Sequence, residues 1–163
     1  MSRTEQTRLH ELERLYESRF PQFVRVAQAV VGDRESALDA VQDAFANVVR
    51  ARSSFRGEGS LEAWVWRAVV NAARTSMRCR QLTIVAAEPD EDIELPAASP
   101  ELAPLVAALP ERQRLVVFLR YYADLDYRSI GSVLGIEVGT VSATLASAHA
   151  AIRRGLEEVQ SRG

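Results

Sequence analysis

Arg67, Asn71, Arg74 and Arg78 recur at intervals of four, three and four residues, a spacing that gathers them on one face of a helix. Arginine neutralises phosphate or pairs with guanine, and asparagine bonds adenine bidentately, so this row has the chemistry of a nucleic-acid face. A second group, Asp39, Gln42 and Asp43, clusters away from Val41, Phe45 and Val48, which fall at i, i+4 and i+7 and should pack inward. That leaves an acidic, amide-bearing surface. A third group is made of hydroxyls: Thr140, Ser142 and Thr144 point away from Val138, Val141 and Leu145. No set of residues has the spacing of a catalytic centre. His10 and His149 are far apart and Cys79 stands alone. There is no glycine-rich phosphate loop, no His-x-x-x-His and no Cys-x-x-Cys, so the chain reads as a binding protein with no enzymatic activity, metal or cofactor.

These groups require helices to position them. Leu9, Leu12, Leu15 and Tyr16 begin an apolar stripe that continues past Pro21 through Phe23, Val24, Ala27, Val30 and Val31 and stops at Gly32. Asp33 caps a helix over about 34–52, whose end carries Arg50 and Arg52, cations suited to a helix C-terminus. Phe55 to Ser60 form a loop, and Ser60 starts a helix to about Arg80, with an inward stripe of Leu61, Val65, Ala68 and Ala72. Trp64 and Trp66 cannot share a face, and Trp64 is the better core candidate. Residues 82–100 are acidic and proline-interrupted, which predicts a flexible linker. Beyond it, Tyr127, Ile130, Val133 and Leu134 recur at helical spacing between an Asp126 cap and Gly135, and a second amphipathic segment follows. Two short helices hinged on a glycine read as a helix-turn-helix, which presents its second helix to the DNA major groove. The fold class is therefore all-α: two small helical domains, 1–81 and 101–163, joined by the linker 82–100. There is no internal repeat and no strand-period alternation.

Composition restricts the function further. With 20 Arg and no Lys against 22 acidic residues, the net charge is −2, and the pI is near 5.8. A free-standing DNA binder is usually basic, so DNA affinity is expected to depend on a partner. The single cysteine excludes an intrachain disulfide and fits a reducing cytosol. No apolar run approaches the roughly 20 residues that span a bilayer, and the N-terminus has no signal-peptide core, which implies a cytoplasmic protein without membrane insertion.

Three motifs carry a family resemblance. Leu109-Pro110-Glu111-Arg112-Gln113-Arg114 leads through an aromatic and acidic turn into the helix-turn-helix with Gly139-Thr140-Val141. Asp39-Ala40-Val41-Gln42-Asp43-Ala44-Phe45 and Ala63-Trp64-Val65-Trp66-Arg67 with Asn71 precede it in the same order. Over residues 10–80 and 101–156 the chain resembles the extracytoplasmic-function (ECF) sigma factors of RNA polymerase.

The resemblance implies a protein that directs core RNA polymerase to promoter DNA and assists melting, regulated by an anti-sigma protein. It implies that Asp39, Gln42 and Asp43 face the polymerase clamp. It places Phe55, Arg56, Arg67, Asn71, Arg74 and Arg78 at the minus-ten element, where the loop captures a flipped base, and Arg128, Thr140, Ser142, Thr144 and Arg153 at the minus-thirty-five element. The acidic linker would thread the polymerase channel that later holds RNA. Two departures stand out. No Arg or Lys lies between Arg128 and Arg153, and Glu137 replaces the usual serine cap of the second helix. Hydroxyl contacts would then read the minus-thirty-five element, with Arg120, Arg128, Arg153 and Arg154 on the backbone. A helix-turn-helix regulator of another class, or a sigma-like adaptor without promoter-specific initiation, remain the alternatives.

Overall fold

The computed structural model describes residues 1–83 and 100–163; the expected flexible linker falls almost entirely outside them. Among the described residues all regular structure is helical. The first three helices are α1 (Arg3–Val31), α2 (Arg34–Arg50) and α3 (Leu61–Thr83), with one 3-10 turn (Arg52–Ser54) after α2. Four more follow: α4 (Leu102–Ala107), α5 (Glu111–Tyr121), α6 (Tyr127–Leu134) and α7 (Val138–Arg162).

Local chemistry sets the ends of the first bundle. Ser2 and Glu5 form a reciprocal capping box at the start of α1, and Gly32 ends that helix at φ 88°, a left-handed conformation in which glycine carries no Cβ penalty. The Asp33 carboxylate accepts from the Ser36 N–H and opens α2. The Ser60 hydroxyl accepts from the Ala63 N–H and opens α3.

The core of α1–α3 is an aromatic ladder. Tyr16 meets Phe45 at 4.9 Å between centroids, Phe45 meets Phe23 at 5.2 Å, and Phe23 meets Trp66 at 4.3 Å. Val41 and Val48 are buried with Phe45, as their spacing predicts. On α3 the inward stripe differs from the expected one: Ala63, Val65, Trp66, Val69, Val70 and Ala73 are buried, while Leu61, Ala68 and Ala72 lie at the margin. The two tryptophans are correspondingly exchanged. Trp66 is 0% exposed and Trp64 sits half-buried against Phe55, because only the Trp66 face meets the aromatic side chains of α1.

The second bundle packs α4, α5 and α6 on the long α7, around Leu115, Phe118, Leu119, Ile130, Val133, Val141 and Leu145. It does not stand apart from the first: α5 lies on α1 and α6 on α3. Arg114 of the Leu-Pro motif ties them, its Nε donating to the Ala29 carbonyl at 2.9 Å and its Nη1 to those of Ala107 and Leu109.

Trp66→Ala should lower the unfolding free energy by about 3–5 kcal/mol through lost burial and a residual cavity, and Trp64→Ala by distinctly less. Urea denaturation measures both, and equal losses would contradict this core.

Candidate nucleic-acid interface

With Trp66 fixed inward, the residue after it turns outward by about 100°. Arg67, Asn71 and Arg78 are exposed and Arg74 is half-exposed, forming the expected row along α3. Two of its members are engaged. Arg67 donates from Nε to the Ser132 carbonyl and from Nη2 to the Ser132 hydroxyl, both at 3.0 Å. The Arg74 guanidinium meets the Glu111 carboxylate at 3.1 Å. Both acceptors belong to the C-terminal bundle, so part of this face is turned into the seam between the bundles.

The loop before α3 bends at Gly57 and Gly59, with φ of 78° and 80°. Phe55 anchors it. Its ring is half-buried, 5.3 Å from the Trp64 ring, and the Arg8 guanidinium covers it at 5.3 Å. Arg56 beside it is exposed. On α2, Asp39, Gln42 and Asp43 are all exposed on the side opposite Val41, Phe45 and Val48, an arrangement free to meet a partner.

The C-terminal pair has helix-turn-helix geometry. The chain bends by 99° between α6 and α7. Asp126 caps α6 by accepting from the Ser129 N–H at 2.7 Å, and Gly135 ends it at φ 68°. Gly131 is a further requirement that periodicity did not reveal. A Cβ there would meet the Ile136 carbonyl at 2.7 Å, so the turn closes against bare backbone. The capping bond with Ser129 holds the Asp126 carboxyl below its ordinary pKa.

Residues assigned to α7 divide across it. Val141 and Leu145 are buried, but Val138 is 46% exposed, because it lies in the first turn beyond the reach of α6. Thr140 and Ser142 flank opposite edges of the exposed side. The Thr144 hydroxyl donates to the Thr140 carbonyl at 2.7 Å. Arg128 and Arg153 are exposed. Arg120 does not reach outward as expected: it donates to the Leu125 carbonyl at 3.2 Å and covers the Tyr127 ring, bracing the α5–α6 turn.

Sequence reasoning missed Arg112 and Gln113. They line an open cleft of about 420 Å³ with Thr140, Thr144 and Ser147. Arg112 thereby places a cation beside the first half of α7, which has none before Arg153. Its position in the first turn after Leu109-Pro110 was the available signal. Among the described residues no group of His, Cys, Asp and Glu can hold a metal ion.

Two family models match the chain: sigma-70 region 2 over residues 15–83 and sigma-70 region 4 over residues 101–156. The RNA polymerase sigma-H factor of Pseudomonas aeruginosa is 31% identical over 151 residues, covering 78% of this chain and 76% of that protein. The ECF RNA polymerase sigma-E factor of Escherichia coli K12 is 30% identical over 134 residues, 70% of each chain. Among solved structures, the sigma factor RpoE of Bartonella quintana, in complex with the anti-sigma factor NepR, superposes with a TM-score of 0.73 at 18% identity. That match covers 90% of this chain and 97% of that one. CnrH, in complex with the cytosolic domain of CnrY, gives 0.70 at 19%, covering 92% and 90%.

Glu137, the residue before α7, makes no side-chain capping bond. Glu137→Ser should supply one and raise the unfolding free energy by about 1 kcal/mol. Thermal or urea denaturation checks this, and no gain would mean that the turn cannot present the hydroxyl. The Asp126 cap gives the opposite test. Its folded pKa is depressed, so its contribution is present above the ordinary Asp value, near 4, and lost as pH falls through the lower folded value. The stability difference between wild type and Asp126→Ala should therefore shrink on acidification below about pH 4.

Proposed function

Because the chain belongs to the extracytoplasmic-function sigma factors of RNA polymerase, we propose that its three surfaces divide the work of initiation. Asp39, Gln42 and Asp43 on α2 meet the polymerase clamp. Arg67, Asn71, Arg74 and Arg78 on α3, with Phe55 and Arg56 in the preceding loop, read and help melt the minus-ten element. Arg128, Thr140, Ser142, Thr144 and Arg153 approach the minus-thirty-five element, with Arg112 supplying phosphate charge across the cleft.

The observation that carries this reading is the α3 row. Four side chains able to bind phosphate and base edges lie on one helix face, inside the segment that matches region 2. Phe55 serves by holding the loop on Trp64, so that Arg56 projects from a fixed base. The same division leaves nothing for an enzyme: binding energy is the whole of the chemistry. No single helix among the described residues is long and apolar enough to cross a membrane; a cytoplasmic site of action follows from the proposed role beside core polymerase. Both solved neighbours were captured with a second protein, an anti-sigma factor in the first case, which supports a regulatory partner of that kind here. Residues 1–81 and 101–163 act as the two functional domains, linked through 82–100.

Asp43→Arg should weaken retention on core polymerase by at least about tenfold while leaving helicity intact, since it reverses a charge on an exposed face. Pull-down with purified core enzyme measures it, and undiminished retention would remove α2 from the interface. Arg67→Ala with Asn71→Ala should leave polymerase binding unchanged and reduce open-complex formation, each lost base contact being worth about 1–3 kcal/mol. Permanganate footprints equal to wild type would remove α3 from the melted DNA.

A further inference from the structure

We propose that Arg8 is a positioning residue for the loop that captures the minus-ten base: its guanidinium clamps the loop onto Trp64 before DNA arrives, and so sharpens discrimination of the base that enters. The inference rests on the assignment of the loop from Phe55 to Ser60 to the minus-ten element.

That loop does not fix its own shape. Gly57 and Gly59 both take positive φ, and a Cβ on either would meet nothing within 4 Å, so the tip is open and its course depends on its two ends. The far end is secured by Ser60, whose hydroxyl caps α3. The near end is the 3-10 turn with Phe55, and Arg8 touches both. Its Nη1 donates to the Arg52 carbonyl, and its guanidinium lies 5.3 Å from the centre of the Phe55 ring. Trp64 meets the same ring at 5.3 Å. One planar cation thereby ties the turn and the ring to α1, through a charge-assisted hydrogen bond and a cation–π contact. Within the turn the Ser54 N–H and hydroxyl both donate to the Ala51 carbonyl, at 2.8 and 2.6 Å, which couples Arg52 to Phe55.

The place of Arg8 in the sequence supports the same role. It lies four residues before Leu12 and seven before Leu15, on the inward face of α1, where that face runs past the end of the core. Leu12 is buried and Arg8 half-buried. A cation at a core-facing position needs a partner for its charge, and an aromatic face with a carbonyl beside it supplies one. The first turns of α1, up to Arg14, also precede the segment that matches sigma-70 region 2, whereas the loop lies inside it. The clamp therefore reaches into the matched segment from outside. A loop already seated loses less conformational freedom when a base enters, and it leaves a wrong base less room to be accommodated.

The test uses the full chain with core polymerase, in run-off transcription from a template pool randomised over the minus-ten element. Arg8→Ala should bind core polymerase as wild type does and lose about tenfold in selection at one position of the element, with the positions read by α3 unchanged. Acrylamide quenching of the free chain reads the loop itself. The two tryptophans are Trp66, wholly buried, and Trp64, so the quenchable emission reports Trp64 and should increase when Phe55 is released from it. Phe55→Ala should reproduce the loss of selection, and adding Arg8→Ala to it should cost at most about twofold more, since a residue that acts through another is not additive with it. Wild-type selection in Arg8→Ala, with or without a change in quenching, overturns the proposal. So do losses that multiply in the double variant, which would put Arg8 to work elsewhere. A loss spread over every position, with weaker polymerase binding, overturns it too, since Arg8 would then be a general support of the fold. If Phe55→Ala leaves selection untouched while Arg67→Ala with Asn71→Ala abolishes it, the loop takes no part in reading the element, and its assignment fails together with the clamp.

Discussion

The burial of Trp66 against Phe23 is the constraint on which the rest depends. The ring is wholly enclosed, at the end of a ladder that runs through Phe45 to Tyr16 and so joins the first three helices. Its indole N–H has no hydrogen-bond partner, a cost that the packing must offset. A helix has one rotational freedom about its axis, and seating Trp66 removes it for α3. Arg67 then faces outward, and Asn71, Arg74 and Arg78 follow at helical intervals. Phe45 does the same for α2, whose Asp39, Gln42 and Asp43 are left on the opposite side. One aromatic core thus orients both the basic and the acidic surfaces of the N-terminal bundle.

Charge is distributed to match. Residues 1–83 carry 13 Arg against 10 acidic residues, and 100–163 carry seven of each, while 84–99 hold five acidic residues and no Arg. The net charge of −2 therefore conceals an N-terminal half with an arginine surplus. The seam between bundles uses that asymmetry, with N-terminal arginines donating to a carboxylate and a helix end of the other half. The α7 helix has no cation between Arg128 and Arg153, and Arg112 of α5 stands across the cleft from it.

The helices and their caps were legible because their signals are local: Asp33, Ser60 and Asp126 accept the backbone N–H bonds that their types predict, and Gly32 and Gly135 take left-handed conformations. The family was legible because its motifs recur in order. What was not legible depends on neighbours distant in the chain. Trp64 and Trp66 differ by which one meets α1, and spacing within α3 carries no record of that. Val138 fits the apolar period of α7, yet nothing reaches it. Gly131 is required by a carbonyl five residues away, and Arg120 is spent on a turn rather than on an outward contact. The engagement of Arg67 and Arg74 is a tertiary fact of the same kind, invisible in a row of exposed-looking arginines.

Under the proposed division the two DNA-facing surfaces are uneven, an α3 row rich in cations and base-bonding groups and an α7 helix that offers hydroxyls but no cation before Arg153. The most direct measurement is run-off transcription by purified core polymerase with this chain, on a template pool randomised over both promoter elements. The account predicts promoter-specific transcripts whose selected bases concentrate at the minus-ten element, with weak selection at minus-thirty-five. Transcripts selected at minus-thirty-five and indifferent at minus-ten, or no transcripts beyond those of core polymerase alone, would contradict it.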